Sequence, residues 1–225
     1  MRHFFWFIIF GLSLTSCGEF FQFEEEPDTW EGIAMKIAHD SPYVMVSDSL
    51  PLAVTFTPDT ISDGAIFWML GDNTRAMLKN DTLVALRSGQ VDLIAIGGAG
   101  RLTDTCRVNI IDPWIMEDFS AMHPSDMVIY ADIRVDGQEW NDSTSMVAAF
   151  VGGELSGMAK RREACGITYA EFRIWAPTNQ GQGHIDFRCY DRSNYRLMWL
   201  KEDIEFDAYK TLGTLSNLYP LNFSR

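Results

Sequence analysis

The chain has 225 residues, of which 47% are hydrophobic, 13% aromatic and 22% charged, and its formal net charge is −13. This length suits two small domains better than one large one, and the apolar fraction is ample for packed cores. The acidic balance repels phosphate backbones, and the sequence shows no basic stripe with interleaved aromatics, which excludes nucleic acid as a partner. The same charge disfavours peripheral binding to anionic lipid, so membrane attachment would need a lipid of its own.

Arg2 and His3 supply a short basic start, and Phe4 to Phe10 begin an apolar run that continues to Leu14. A run this short cannot cross a hydrocarbon layer of about 30 Å as a permanent helix, and it reads as a secretion signal. It ends in Leu14-Thr15-Ser16-Cys17, which resembles the bacterial lipobox. That resemblance implies a diacylglycerol thioether on Cys17 and cleavage before it, leaving residues 1–16 as the signal peptide. Cleavage would remove Arg2 and no acid, so the mature chain carries −14. Residues 17–29 include Glu24-Glu25-Glu26-Pro27-Asp28 and read as a self-repelling acidic tether. Acids soon after a lipidated cysteine also resemble the export signal of Bacteroidetes surface lipoproteins.

Residues 30–111 read as a first all-β domain. Strands are expected near Ile33–Ala38, Tyr43–Val46, Leu52–Phe56, Ile66–Leu70, Ala76–Lys79, Thr82–Leu86, Val91–Ile96 and Thr105–Ile111. Asp40-Ser41-Pro42, Asp63-Gly64, Gly71-Asp72-Asn73 and Asn80-Asp81 mark turns between them. Many short strands at near-regular spacing, with no convincing amphipathic helix, indicate an antiparallel sandwich.

This half resembles the bacterial immunoglobulin-like family, group 2. The likeness runs through Leu52-Ala53-Val54-Thr55-Phe56-Thr57-Pro58-Asp59, Ile66-Phe67-Trp68, Asn80-Asp81-Thr82-Leu83-Val84-Ala85, Ser88-Gly89-Gln90-Val91 and Asp104-Thr105-Cys106-Arg107-Val108. It implies that Trp68 packs between two sheets and that Gly89 turns the chain into the penultimate strand. The family usually has serines after the tryptophan. Met69-Leu70 stands here, so a more buried strand is expected. The family implies a rigid extracellular module, often in adhesins or as a spacer, and supplies no active site.

Asp112-Pro113-Trp114 breaks the last strand and opens a connector to Pro124, with room for one helical turn over Ile115–Met122. Residues 112–225 then read as a second β-sandwich. Its strands are expected at Met127–Val135, Met146–Val151, Ser156–Lys160, Thr168–Trp175, His184–Asp191, Tyr195–Leu200 and Ile204–Phe206, with Asp136-Gly137 and Gly152-Gly153 as turns. The half resembles a β-sandwich module that recurs in Bacteroidetes surface proteins, through Met127-Val128-Ile129-Tyr130-Ala131, Val147–Ala159, Ile185–Asp191 and Leu212-Gly213-Thr214. That module commonly has arginine where Ser156 stands, and it implies adhesion, scaffolding or glycan capture.

With Cys17 consumed, Cys106, Cys165 and Cys189 remain. Cys106 and Cys189 lie in strand-like sequence and read as buried small hydrophobes. A Cys165–Cys189 bridge is chemically allowed after export. A hairpin of Thr168–Trp175 with His184–Asp191 would instead set Cys189 opposite a residue near Phe172. No cofactor and no metal site are expected. The histidines at 3, 39, 123 and 184 lack ligand spacing, and Asp132, Asp136, Glu139 and Asp142 have calcium-compatible oxygens but no EF-hand spacing, reading instead as turn and rim acids. Gly97-Gly98-Ala99-Gly100 and Gly152-Gly153 read as turns rather than phosphate loops, and no nucleophile elbow is present. Trp140, Trp175, Trp199, Tyr190 and Tyr195 are candidate sugar-stacking rings, though such residues are more often core.

The expected function is therefore non-enzymatic: a lipid-anchored outer-membrane protein at the cell surface, with an adhesion, scaffold or ligand-binding role, or else a glycan-capture role in polysaccharide uptake. Its ligand would be a protein or a glycan. Exposed coplanar aromatics would favour the glycan, and buried aromatics beside an exposed sheet edge would favour protein contact. Asp48-Ser49-Leu50, Asp59-Thr60-Ile61, Asp81-Thr82-Leu83 and Asp142-Ser143-Thr144 match the Bacteroidetes O-glycan pattern, which makes Ser49, Thr60, Thr82 and Ser143 candidate acceptors on turns or loop edges.

Overall fold

Alternating burial runs along nearly every strand of the computed structural model, which describes residues 32–58, 65–116, 126–176, 183–200 and 202–224. Cys17, the signal and tether calls, Thr60 and most of the expected helical turn lie outside the described residues. The described chain is all-β, with a 3₁₀ turn at Gly98–Gly100.

The first half contains β1 (Ala34–Ile37), β2 (Tyr43–Met45), β3 (Ser49–Pro51), β4 (Val54–Thr57), β5 (Phe67–Leu70), β6 (Ala76–Leu78), β7 (Thr82–Ala85), β8 (Gly89–Gly97) and β9 (Leu102–Ile111). One sheet has the order β2-β9-β8-β5, with β2 parallel to β9. Facing it are the sheet β3-β7-β6 and the pair β1-β4. Val91, Leu93 and Ala95 of β8 pack with Val108 and Ile110 of β9, Leu83 of β7 and Leu50 of β3 in one core. Side chains alternate sides of a strand, so every second residue reaches this core and its neighbours face solvent.

Two expectations from the family likeness meet the structure here. Trp68 is half-buried and packs on the core from the edge strand β5. Gly89 opens β8 at φ +131°, and a side chain there would collide with the Arg75 guanidinium, which donates to the Ser88 carbonyl. The expectation of a more buried strand at Met69-Leu70 is corrected. β5 is an edge, and its outward residues Phe67 and Met69 are 67% and 51% exposed.

The second half contains β10 (Asp126–Val135), β11 (Gln138–Glu139), β12 (Ser145–Val151), β13 (Glu154–Met158), β14 (Lys160–Ala164), β15 (Ile167–Trp175), β16 (His184–Asp191), β17 (Arg196–Trp199), β18 (Ile204–Glu205), β19 (Thr211–Leu212) and β20 (Tyr219–Phe223). One sheet runs β11-β10-β15-β14, with β19 and β20 parallel to β10. The other runs β13-β12-β16-β17, with β18 also on β16. Their inner faces meet in a core that includes Ile129, Val147, Phe172, Phe187, Cys189 and Leu221. Phe172 and Phe187 touch edge-to-face across it at 5.2 Å between centroids. The Gly152-Gly153 turn joins β12 to β13 with φ of +63° and +88°, a backbone that few side chains tolerate.

This arrangement corrects the expected hairpin. β15 and β16 do not pair, because each belongs to a different sheet. The expected strand Ser156–Lys160 is also two strands, broken at Ala159, with β13 in one sheet and β14 in the other. Ser156 is buried, its hydroxyl donating back to the Glu154 carbonyl at 3.0 Å. Cys165 is exposed in the β14–β15 turn while Cys189 is buried in the core, and both are free thiols.

A third cluster joins the halves: Met45 from the first, Trp114 from the connector, and Ala148, Phe150 and Tyr190 from the second. Trp114 meets Phe150 at 5.7 Å and Tyr190 at 6.4 Å, both edge-to-face. Tyr195 of the second half packs on the first core, and Ile33–Arg225 cluster as one compact unit.

Candidate ligand cleft between the two halves

The segment from β16 to β17 builds the junction. Asp191 accepts from the Asn194 backbone at 3.2 Å and from its side chain at 2.8 Å, which closes the turn Asp191-Arg192-Ser193-Asn194. Tyr195 follows at φ +52°. Its carbonyl accepts from the Tyr43 amide at 2.8 Å, and the Tyr190 hydroxyl donates to the Tyr43 carbonyl at 3.4 Å. An ion pair of Arg192 with Asp48 at 3.3 Å adds a third tie between the halves.

Beside these ties lies a cleft of about 860 Å³ lined by residues 38–43, by Asp136, by residues 194–199 and by Ser224. That volume falls in the range of small-molecule and oligomer pockets, which favour domain junctions. Trp199 is 45% exposed on its wall and meets Tyr43 at 6.2 Å with rings at 76°. His39 meets Tyr195 at 5.2 Å, again edge-to-face. The wall therefore offers one open aromatic face, not a coplanar pair. Polar groups converge beside it from Asp40, Asn194 and Arg196.

Arg196 is the fixed charge of the cleft. Its Nη2 bonds Asp136 and Asp191, each at 2.7 Å, and among the described residues its Nε has no acceptor. Burial works against the charged carboxyl of Asp191, but the hydrogen bonds from Arg196 and Asn194 outweigh it and hold the acid below its ordinary value. Those same two acids raise Arg196, so it stays a cation at any physiological pH.

The remaining candidates are dispersed. Of the acidic group, Asp132 pairs with Arg134, Asp136 with Arg196 and Glu139 with Arg161, and among the described residues no three metal-ligating side chains converge. Trp140 is buried and donates its Nε1 to the Ser145 carbonyl at 3.1 Å; Tyr190 is fully buried. Ser49 is an exposed first residue of β3, and Thr82 is a half-buried first residue of β7. Ser143 is exposed in the turn before β12, its hydroxyl donating to Asn141 at 2.8 Å. The cleft itself was not read from the sequence. Tyr195 and Trp199 are candidate rings in the sequence, but Tyr43 and His39 reach them only through the docking of the two halves, and Arg196 shares the strand of Trp199.

No family model matches the chain. A stretch of 108 residues is 31% identical to part of an uncharacterized protein of Clostridium acetobutylicum, covering 47% of this chain and 11% of that one. The chain thus spans a small fraction of that relative's length. Among solved structures it is similar to protocadherin gamma B7 extracellular cadherin domains 1–4, at 12% identity over 78% of this chain and 50% of that one, with a TM-score of 0.29. It is also similar to the N-terminal Ig1-2 module of Drosophila receptor protein tyrosine phosphatase DLAR, at 9% identity over 85% and 99%, TM-score 0.24. A third is SGBP-B of the Bacteroides ovatus mixed-linkage glucan utilization locus, in complex with a mixed-linkage heptasaccharide, at 14% identity over 77% and 43%, TM-score 0.21. At such identities and scores these likenesses carry no argument about ligand or partner.

Proposed function

We propose that the protein is a lipid-anchored, cell-surface binding protein with an adhesion or scaffold role and no catalytic step, whose ligand seats in the cleft between the halves. The observation that carries this reading is that cleft: about 860 Å³, built from both halves around Trp199 and Arg196. Exposed β5 supports protein contact as the mode of engagement. Phe67 and Met69 pair in register with Ile96 and Ile94, so an apolar strip borders a strand edge that is unpaired among the described residues. Glycan capture is the second reading, favoured by the open face of Trp199 beside amide, carboxylate and guanidinium groups.

Anchoring would rest on the thioether at Cys17, with residues 17–29 as tether and the outer membrane as its site. Cys17→Ala is expected to leave an unlipidated precursor that is lost from the membrane fraction; normal incorporation of labelled lipid would contradict it. O-glycans on Ser49, Thr60, Thr82 or Ser143 would leave fewer faces open to ligand, and the intact mass of the native protein reads them directly.

Parallel screens of residues 27–225 on a glycan array and on host-matrix proteins test the binding reading, each repeated with Trp199→Ala and Phe67→Ser. Loss with Trp199→Ala alone places the ligand in the cleft, and loss with Phe67→Ser alone moves it to the β5 edge. No ligand in either screen would contradict a binding role.

A further inference from the structure

Lys160-Arg161-Arg162 is the only run of three cations in this acidic chain. Strand pairing decides what becomes of it. β14 pairs with β15 so that Lys160 lies opposite Glu171 and Arg162 opposite Tyr169, which puts both cations on the outward face with Arg173 and Trp175. Arg161 faces away, bonding the Trp140 carbonyl at 2.9 Å and Glu139 at 3.0 Å. A hollow of about 530 Å³ opens on the outward face, lined by Met158, Lys160, Arg162, Glu171, Arg173 and Trp175.

The charges there are not balanced. Glu171 is taken by Arg162 at 3.0 Å, and Asp126 stands 3.6 Å from Arg173 at the flank. Lys160 has no ion pair among the described residues, and Arg173 keeps 59% of its side chain exposed. Two cations with donors to spare thus flank a hollow whose far wall is the half-buried ring of Trp175. A guanidinium fork and an ammonium suit an oxyanion such as a carboxylate or a sulfate, while an indole face and a methionine suit the apolar side of a pyranose. Tyr130 and Tyr169, in contact at 5.6 Å on the same sheet, extend the aromatic surface beyond it.

We propose that this hollow is a second binding site, separate from the cleft, for an acidic saccharide unit bearing a carboxylate or a sulfate. The anion sits between Lys160 and Arg173, and the sugar ring lies against Trp175. The sequence alone hides the site, because a strand turn and a β-ladder separate Lys160 from Arg173.

Calorimetric titration of the mature protein in detergent tests this with four probes: an oligogalacturonate, a sulfated oligosaccharide, a neutral cello-oligosaccharide and a single-stranded oligonucleotide. The first, the second or both bind, with affinity falling as salt rises, and the two arms distinguish carboxylate from sulfate. Lys160→Gln and Arg173→Gln each weaken binding about tenfold, the loss of one charge-assisted contact. Trp199→Ala leaves it unchanged. The proposal is overturned if neither acidic sugar binds, if the neutral sugar binds as well with the same loss in Lys160→Gln and Arg173→Gln, or if the two charge variants have no effect. Equal binding of the oligonucleotide with the same sensitivity also overturns it, since the face is then a general polyanion surface.

Discussion

Two cysteines of the second half sit in opposite environments. Cys189 is fully buried between Val147 and Met198 on neighbouring strands, and burial pushes its thiol up to about 12. Cys106 is also buried, with its thiol raised by the same cause, whereas Cys165 is exposed in a turn at φ +52°. Thiolate, not thiol, is the reactive form, so burial silences two of the three. Native residues 18–225 are therefore expected to take up one maleimide, at Cys165, within minutes, and three after unfolding. A native chain with no accessible thiol would show that Cys165 is bridged after all. Beside Cys189, Asp191 has a lowered carboxyl, so its pairing with Arg196 contributes stability that is complete above the ordinary value of 3.8 and lost only as pH falls through the lower native one. That pairing is thus complete across the range in which cells live.

At the scale of elements, Trp114 fastens the described part of the connector. Trp114 is 9% exposed and fills the space between Phe150 and Tyr190 next to Met45. Trp114→Ala is expected to cost about 3–5 kcal/mol of stability, as aromatic truncations in cores do, read from the shift of the urea midpoint at constant slope. A loss under 1 kcal/mol would mean that the third cluster does not hold the halves. Strand positions were legible wherever alternation was clean, as in Tyr169–Trp175 and Thr105–Ile111, because period-two patterning follows directly from burial on one face. Pairing was less legible. Ser156–Lys160 looked like one strand because nothing in its residue types marks Ala159 as the point where the chain changes sheets. Thr211–Leu212 and Tyr219–Phe223 were missed as strands because they are short, interrupted by Pro220, and held by parallel pairing with β10. Of the cleft, Tyr195 and Trp199 were visible in the sequence as candidate rings. Tyr43 was not, since its meeting with Tyr195 depends on a contact between residues about 150 apart.

At the scale of the whole molecule, each half has its own closed core, and the core of the second is built entirely from residues beyond the connector. Two separately folding domains are therefore proposed, divided near residues 112–124. Residues 113–225 alone should unfold cooperatively, but at a lower midpoint than the full chain. The fragment loses Met45 against the third cluster and the first core beneath Tyr195. A non-cooperative melt would contradict the boundary. In the full chain those contacts, with the Tyr43–Tyr195 and Arg192–Asp48 ties, hold the cleft in a fixed shape, which lowers the ordering cost of binding.

The central claim, a binding protein whose ligand seats between its halves, is tested most directly by hydrogen exchange of the mature protein with and without the ligand recovered from the screens. Added protection is expected in residues 38–43 and 194–199, on both walls of the cleft at once. Protection confined to other segments, with those two unchanged at saturating ligand, would contradict it.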